Sequence, residues 1–192
     1  INAFQGKLSE LAVYNYFYQF NHSLYQQLSF PDFDIYGLSD WDDCDLKLKN
    51  EYFSIKSTKF FGNLLLLECK DWNSLGFYKP NLNNEKPSVF HYFILVRIKP
   101  DGELLLRTKH LLGENNVDKD VLFKLITNQI WRFDIPGYLN HKDLVNIITD
   151  KQCLPQGAQL NNKIKMDADN YYVQSGDLRS LEKLISEMKN EL

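Results

Sequence analysis

Six residues of this chain combine type and spacing in a way that could do chemistry: Glu10, Asp45, Ser54, Lys56, Glu68 and Lys70. Asp45 sits on one strand-like run. Nine residues later, Ser54-Ile55-Lys56 opens a polar-apolar-Lys triplet on the next. Side chains alternate faces along a strand, so Ser54 and Lys56 share one. A tight turn across Asn50-Glu51 would bring the Asp45 run alongside as a hairpin. A lysine drawn inside near carboxylates is costly unless paired, so such a grouping marks either a salt-bridged structure or a metal site. Glu68-Cys69-Lys70 repeats an acid-x-Lys pattern literally, with acid and lysine again on one face, but farther along the chain from Asp45.

Several elements must position these residues. Residues 6–20 place Glu10, Val13, Tyr14 and Phe17 at i, i+3, i+4 and i+7, one face of a helix. Residues 44–49 and 52–58 alternate polar and apolar, as half-buried strands do. A Leu-rich run follows at 63–70, then an exposed loop at 72–88 rich in Asn, Gly and Pro. Residues 89–98 read as a strong strand, turned by Pro100-Asp101-Gly102 into a second strand at 103–108. Helices are predicted at 120–130 and 141–150, the latter with Asn140 as N-cap. Pro155-Gln156-Gly157 makes a turn, and residues 171–174 a short strand. In the last segment Leu178, Leu181, Ile185, Met188 and Leu192 recur at spacings of 3, 4, 3 and 4, the mark of an amphipathic helix that docks on the core or meets a second copy.

Composition narrows the class. The 192 residues carry 44% hydrophobic side chains, including 13 Phe, 11 Tyr and 3 Trp, too many for a chain without a core. Without internal repeats or a clean boundary, one mixed α/β domain is expected over residues 1–192. The longest apolar runs fall far short of the about 20 residues a membrane-spanning helix needs. With a net charge of −3 the chain is no polycation, although a local basic surface would suffice for nucleic acid. The three cysteines (Cys44, Cys69 and Cys153) lack metal-site spacing and are expected as thiols in a reducing compartment. No signal peptide is visible, so a cytoplasmic location is expected. Phosphate-loop, dinucleotide-binding, zinc and serine-hydrolase signatures are all missing from the sequence.

With helix, hairpin and triplet in this order, residues 5–70 resemble the PD-(D/E)xK nuclease superfamily, which includes many type II restriction endonucleases. In that family an early helix carries a Glu, an Asp starts a hairpin, and an acid-x-Lys triplet ends the central strand. Glu10, Asp45 and Lys56 match in turn, and Lys56-Ser57-Thr58 is typical of the strand end. Ser54 stands where the family has an acid, and a hydroxyl is a poor Mg²⁺ ligand beside a carboxylate. Glu68, relocated onto the next strand, is the candidate to fill the gap. A rival register takes Glu68-Cys69-Lys70 as the triplet.

The resemblance implies a restriction-endonuclease-like mixed sheet flanked by helices, with a catalytic core at about 5–110 and a helical, DNA-contacting part at about 111–192. It further implies an Mg²⁺-dependent deoxyribonuclease acting on double-stranded DNA as a homodimer. Asp45, Glu68 and Glu10 would be metal ligands and Lys56 the catalytic lysine; Ser54, Lys70 and Asp34 are further possibilities. Lys47, Lys49, Lys59 and Lys79 would follow the phosphate backbone. The loops at 73–86 and 156–165 are candidate groove readers. An inactive DNA-binding or assembly subunit, or a repair, resolution or transposition nuclease, are the alternatives. Each residue also has a plainer reading. Glu10 could be a first-turn acid behind a Ser9 cap. Asp45 could be a surface acid near the turn, Lys56 a solvated lysine, and Glu68 with Lys70 an exposed edge pair. Asp34, Asp40, Asp42 and Asp43 would then form a solvated acidic loop.

Overall fold

The computed structural model describes residues 1–34, 44–83, 85–114, 116–160 and 164–190. Asp40, Asp42 and Asp43 of the acidic loop, Asn161, Asn162 and Lys163 of the second loop, and Leu192 lie outside the described residues. Helix α1 (Asn2–Phe20) begins ahead of the expected start and carries Gly6 in its interior. Ser9 does not cap it. The Ser9 hydroxyl donates to Gln5 O at 2.9 Å, inside the helix, so Glu10 is an interior residue rather than a first-turn acid. Asn21 closes α1 and caps the short α2 (His22–Tyr25), its Oδ1 accepting from Leu24 N–H at 3.0 Å.

Strands β1 (Leu46–Leu48) and β2 (Glu51–Lys59) form the expected hairpin, with Leu46 opposite Phe53 and Leu48 opposite Glu51. The turn is Lys49-Asn50, one residue earlier than expected; Lys49 takes a φ of 53°. Strand β3 (Leu64–Glu68) turns away into a second sheet, and β4 (Tyr92–Lys99) returns parallel to β2, with Ser54 beside Phe93 and Lys56 beside Leu95. Flanked on both sides and on both faces, β4 reads as a continuous apolar run, as buried parallel strands do.

Residues 103–108 are not the expected return strand but helix α3 (Gly102–Thr108). Asp101 caps it, accepting from Glu103 N–H at 3.0 Å and Leu104 N–H at 3.2 Å. Arg107 then pairs with Glu103 one turn back. The Asp-Gly pair that reads as a hairpin turn is a helix N-terminus here. Helix α4 (Lys119–Thr127) follows, then β5 (Arg132–Asn140), a strand the sequence pattern hides. Pro136-Gly137 interrupts its pattern. Yet β5 is the edge strand of a sheet ordered β1-β2-β4-β5 and pairs with β4 through a register shift, the setting in which a strand tolerates proline.

Helix α5 (His141–Thr149) starts as expected at Asn140, within a full capping box with Asp143. Short β6 (Cys153–Leu154), the ribbon of β7 (Gln159–Leu160) and β8 (Ile164–Lys165), and β9 (Asn170–Gln174) come next. The second sheet is ordered β3-β9-β6, so residues beyond 111 contribute to both main sheets. The last helix, α6 (Leu181–Asn190), buries Leu181, Leu184, Ile185 and Met188.

Two cores lie on the two faces of the central sheet. Val13 and Phe17 of α1 and Leu184 of α6 pack on Phe53, Ile55, Ile94 and Val96. On the other face, Phe93, Leu95 and Leu139 meet Leu65 and Leu67 of β3, Trp72, and Leu144 of α5. The alternation of β2 therefore sends Ser54 and Lys56 toward the second core, the side on which β3 ends. Among the described residues no helix is long and apolar enough to cross a membrane.

Candidate functional site

The hairpin opens at Asp45. Beyond Leu46 the backbone ladder with β2 stops, and the Asp45 carboxylate takes over, accepting the Ile55 N–H through Oδ2. This bond holds the Asp45 side chain against the start of the Ser54-Ile55-Lys56 triplet. Ser54 is buried, 4% exposed, and Lys56 half-buried.

Glu68 is the last residue of β3, after which Cys69–Asp71 winds into a single 3-10 turn. The turn takes Lys70 off the strand and into solvent, where its Nζ lies 2.5 Å from Glu68 Oε2. The literal Glu68-Cys69-Lys70 triplet is thus an ion pair across a turn, not a strand triplet. The same turn brings in Asp71, which spacing arguments passed over. Burial raises the Asp71 carboxyl above the usual range and the negative charge of Glu68 raises it further, against Lys70, Lys56 and Lys79. Tyr78, packed on Trp72 with ring centroids 5.2 Å apart, has its phenol raised by burial and then by the charges of Asp71, Glu68 and Asp45. Two side chains thus feel overlapping sets of charges. The charges of Glu68, Lys70, Lys56 and Lys79 act on Asp71, and those of Asp71, Glu68, Asp45 and Lys70 on Tyr78; Lys70 and Lys79 are exposed. An acid three residues past a strand-ending acid was the available signal for Asp71; Tyr78 offered none.

Other expected site residues lie elsewhere. Glu10 is buried on α1, which packs against the opposite face of the sheet, and both its carboxylate oxygens lie 3.1 Å from Lys7 Nζ. Asp34 is exposed in a turn where its N–H donates to Asp32 Oδ1 at 2.8 Å. The lysines of the hairpin do not form one patch. Lys47 lies opposite Tyr52, its Nζ 5.2 Å from that ring's centroid, and Lys49 is in the turn. Lys59 is seven residues past Tyr52, about 23 Å along an extended strand. It is committed there to Asp101 and Glu103, at 3.0 and 3.2 Å. A polar cavity of about 430 Å³ lined by Asn2, Gln5, Ser57 and Lys59 opens at that far end, away from the carboxylates.

Chemically, Asp45, Glu68 and Asp71 offer hard oxygen donors, Lys56 a half-buried amine, and Lys70 and Lys79 exposed cations. Among the described residues no three His, Cys, Asp or Glu side chains are arranged to hold a metal ion. No family model, curated protein or solved structure matches the chain. The fold is mixed α/β with a mixed central sheet and flanking helices.

Proposed function

We propose that this chain is an Mg²⁺-dependent endonuclease of double-stranded DNA, with a restriction-endonuclease-like core. The observation that supports the reading is that the Asp45 carboxylate is bound at the Ser54-Ile55-Lys56 triplet, while the charges of Lys56 and Glu68 act on Asp71 and those of Asp45 and Glu68 on Tyr78. The donor set fits the ion. Carboxylate oxygens suit Mg²⁺, which needs only one or two of them and keeps several waters. The Asp71 carboxyl is raised by burial and then by the charge of Glu68, and a divalent cation would relieve the second of these. Asp45 and Glu68 would hold it, as two carboxylates with several waters suffice for this ion. When bound, Mg²⁺ supplies an activated water and offsets charge on the scissile phosphate. Lys56 orients the attacking water from its half-buried place on β2 and stabilises the negative charge of the transition state. Lys70 and Lys79, both exposed, meet flanking phosphates. Cutting both strands calls for two copies, hence a homodimer, working in the cytoplasm.

A second reading rests on Ser54. A buried hydroxyl stands in the acid's place and Glu68 is engaged by Lys70, as in a DNA-binding subunit that has lost its chemistry. A panel of plasmid and phage DNA with Mg²⁺ separates the two. Wild type yields discrete fragments, and Lys56→Ala and Glu68→Ala each lose at least about 100-fold in rate, the lower end of what a positioned proton-transfer group contributes. Lys70 is exposed and Glu68 half-buried, so urea unfolding of Glu68→Ala beside wild type separates lost chemistry from lost stability. If wild type leaves every DNA form intact, un-nicked as well as uncut, the nuclease reading fails. DNA retained in a gel shift without cleavage selects the second reading.

A further inference from the structure

Outside the carboxylates, another pair of reactive groups meets across the fold. Cys69 Sγ and Cys153 Sγ lie 3.2 Å apart although 84 residues separate them. The contact follows from topology. β9 lies between β3 and β6 in the second sheet, and Cys153 pairs with Tyr171 on one side of it. On the other side Cys69 N–H donates to Asp169 O at 2.9 Å, just as β3 ends and the chain winds into its 3-10 turn. The turn lifts Cys69 off the sheet register and over β9 toward Cys153. Both cysteines are half-buried. Cys44 is not part of this pair; it packs against the core of Phe93 and Leu95.

We propose that Cys69 and Cys153 form an oxidative modification site, a reversible disulfide that clasps the Glu68–Asp71 turn to β6. A disulfide needs its sulfurs at about 2.05 Å, so the two must approach by about 1.2 Å, within reach of side-chain rotation. The oxidant is a small-molecule disulfide. Cys153 attacks as thiolate on one of its sulfurs, and one reagent thiol leaves. Cys69 then attacks the Cys153 sulfur of the mixed disulfide as its own proton departs, and the second reagent thiol leaves. The two protein thiols give up two electrons and two protons, and the reagent disulfide becomes two thiols. The exchange balances equally with the two protein thiols in the opposite order. The clasp holds the turn that carries Glu68, Lys70 and Asp71, so it acts on the segment that the nuclease reading uses. Its formation is independent of that reading.

Equilibration of the full chain with oxidised glutathione, acid quenching and thiol titration of the unfolded protein tests the proposal. Titratable thiols fall from 3 to 1, the mass drops by two hydrogens, and a proteolytic map joins the Cys69 and Cys153 peptides. Cys44→Ser still forms the clasp. Cys153→Ser instead stops at a glutathione adduct or stays reduced. Closing a loop of this length raises Tm by roughly 10 °C, and amide exchange at residues 69–72 slows at least about tenfold. Three thiols remaining, a stable mixed disulfide in wild type, or a bond to Cys44 would each overturn the proposal. All these readouts are taken without DNA, so a failure here and a failure of cleavage remain distinguishable.

Discussion

Removing the Asp45 carboxylate separates two roles that one side chain holds. Ile55 is 8% exposed, and its N–H points to the edge where β1 has ended, with Asp45 Oδ2 as acceptor. In Asp45→Ala that donor is left in a dry position, which costs about 1–3 kcal/mol. For a domain of this size the loss lowers Tm by roughly 2–10 °C. Asp45→Asn keeps an acceptor of nearly the same shape and gives up only the charge assistance, about 1 kcal/mol. Urea unfolding followed by tryptophan fluorescence, extrapolated to water, resolves the two. The chemistry orders the variants differently: a neutral amide is a poor substitute for a carboxylate at Mg²⁺, so both variants lose cleavage by at least about 100-fold, Asp45→Asn while still well folded. Asp45→Ala within about 0.5 kcal/mol of wild type would refute the claim that Asp45 closes the hairpin. A well-folded Asp45→Asn that cuts DNA would remove Asp45 from the ligand set.

Two further outcomes follow from single positions. At Gly137, φ is +151°, and an added Cβ would lie 2.3 Å from Arg179 O, an oxygen fixed by its bond from Tyr138 N–H at 2.8 Å. Gly137→Ala should therefore cost about 2–4 kcal/mol in urea unfolding, and a cost below about 1 kcal/mol would show that the β5 edge gives way. The Asp71 carboxyl is raised in the folded state by burial and by Glu68, so the folded protein binds the proton more readily than the unfolded chain. Its contribution is most favourable below the unfolded pKa and is lost as pH rises through the folded one. Asp71→Asn should therefore raise Tm near neutral pH without Mg²⁺, with the gain vanishing at pH below the ordinary carboxylate range; an equal gain at both ends of the pH scale would assign the effect to packing instead.

Much of this molecule is set by local pattern. Period-2 alternation placed the β1–β2 hairpin to within one residue, because register there is enforced by Leu46, Leu48, Phe53 and Ile55 all seeking one core. The 3.6 period found α1 and α6, and the Asn140 cap found the start of α5, since these depend on neighbours a turn away. The same alternation put Ser54 and Lys56 on one face, which is all a strand can say about its own side chains.

What lies beyond a strand's own reach was decided by tertiary structure. Asp101-Gly102 serves a hairpin turn or a helix cap equally well in sequence; in the fold Asp101 caps α3, and Lys59 reaches Asp101 and Glu103 from β2. Pro136-Gly137 concealed β5 because only an edge position with a register shift accommodates it. Glu10 matched a pattern by order along the chain, yet α1 packs on the opposite face of the sheet from Lys56, a matter of layers rather than spacing. Asp71 and Cys153 reach Glu68 and Cys69 only through a 3-10 turn and a strand inserted between β3 and β6. Periodicity encodes which face a residue takes on its own element. Which elements that face meets depends on burying all the apolar faces at once, and that was fixed only when the two sheets closed over their cores.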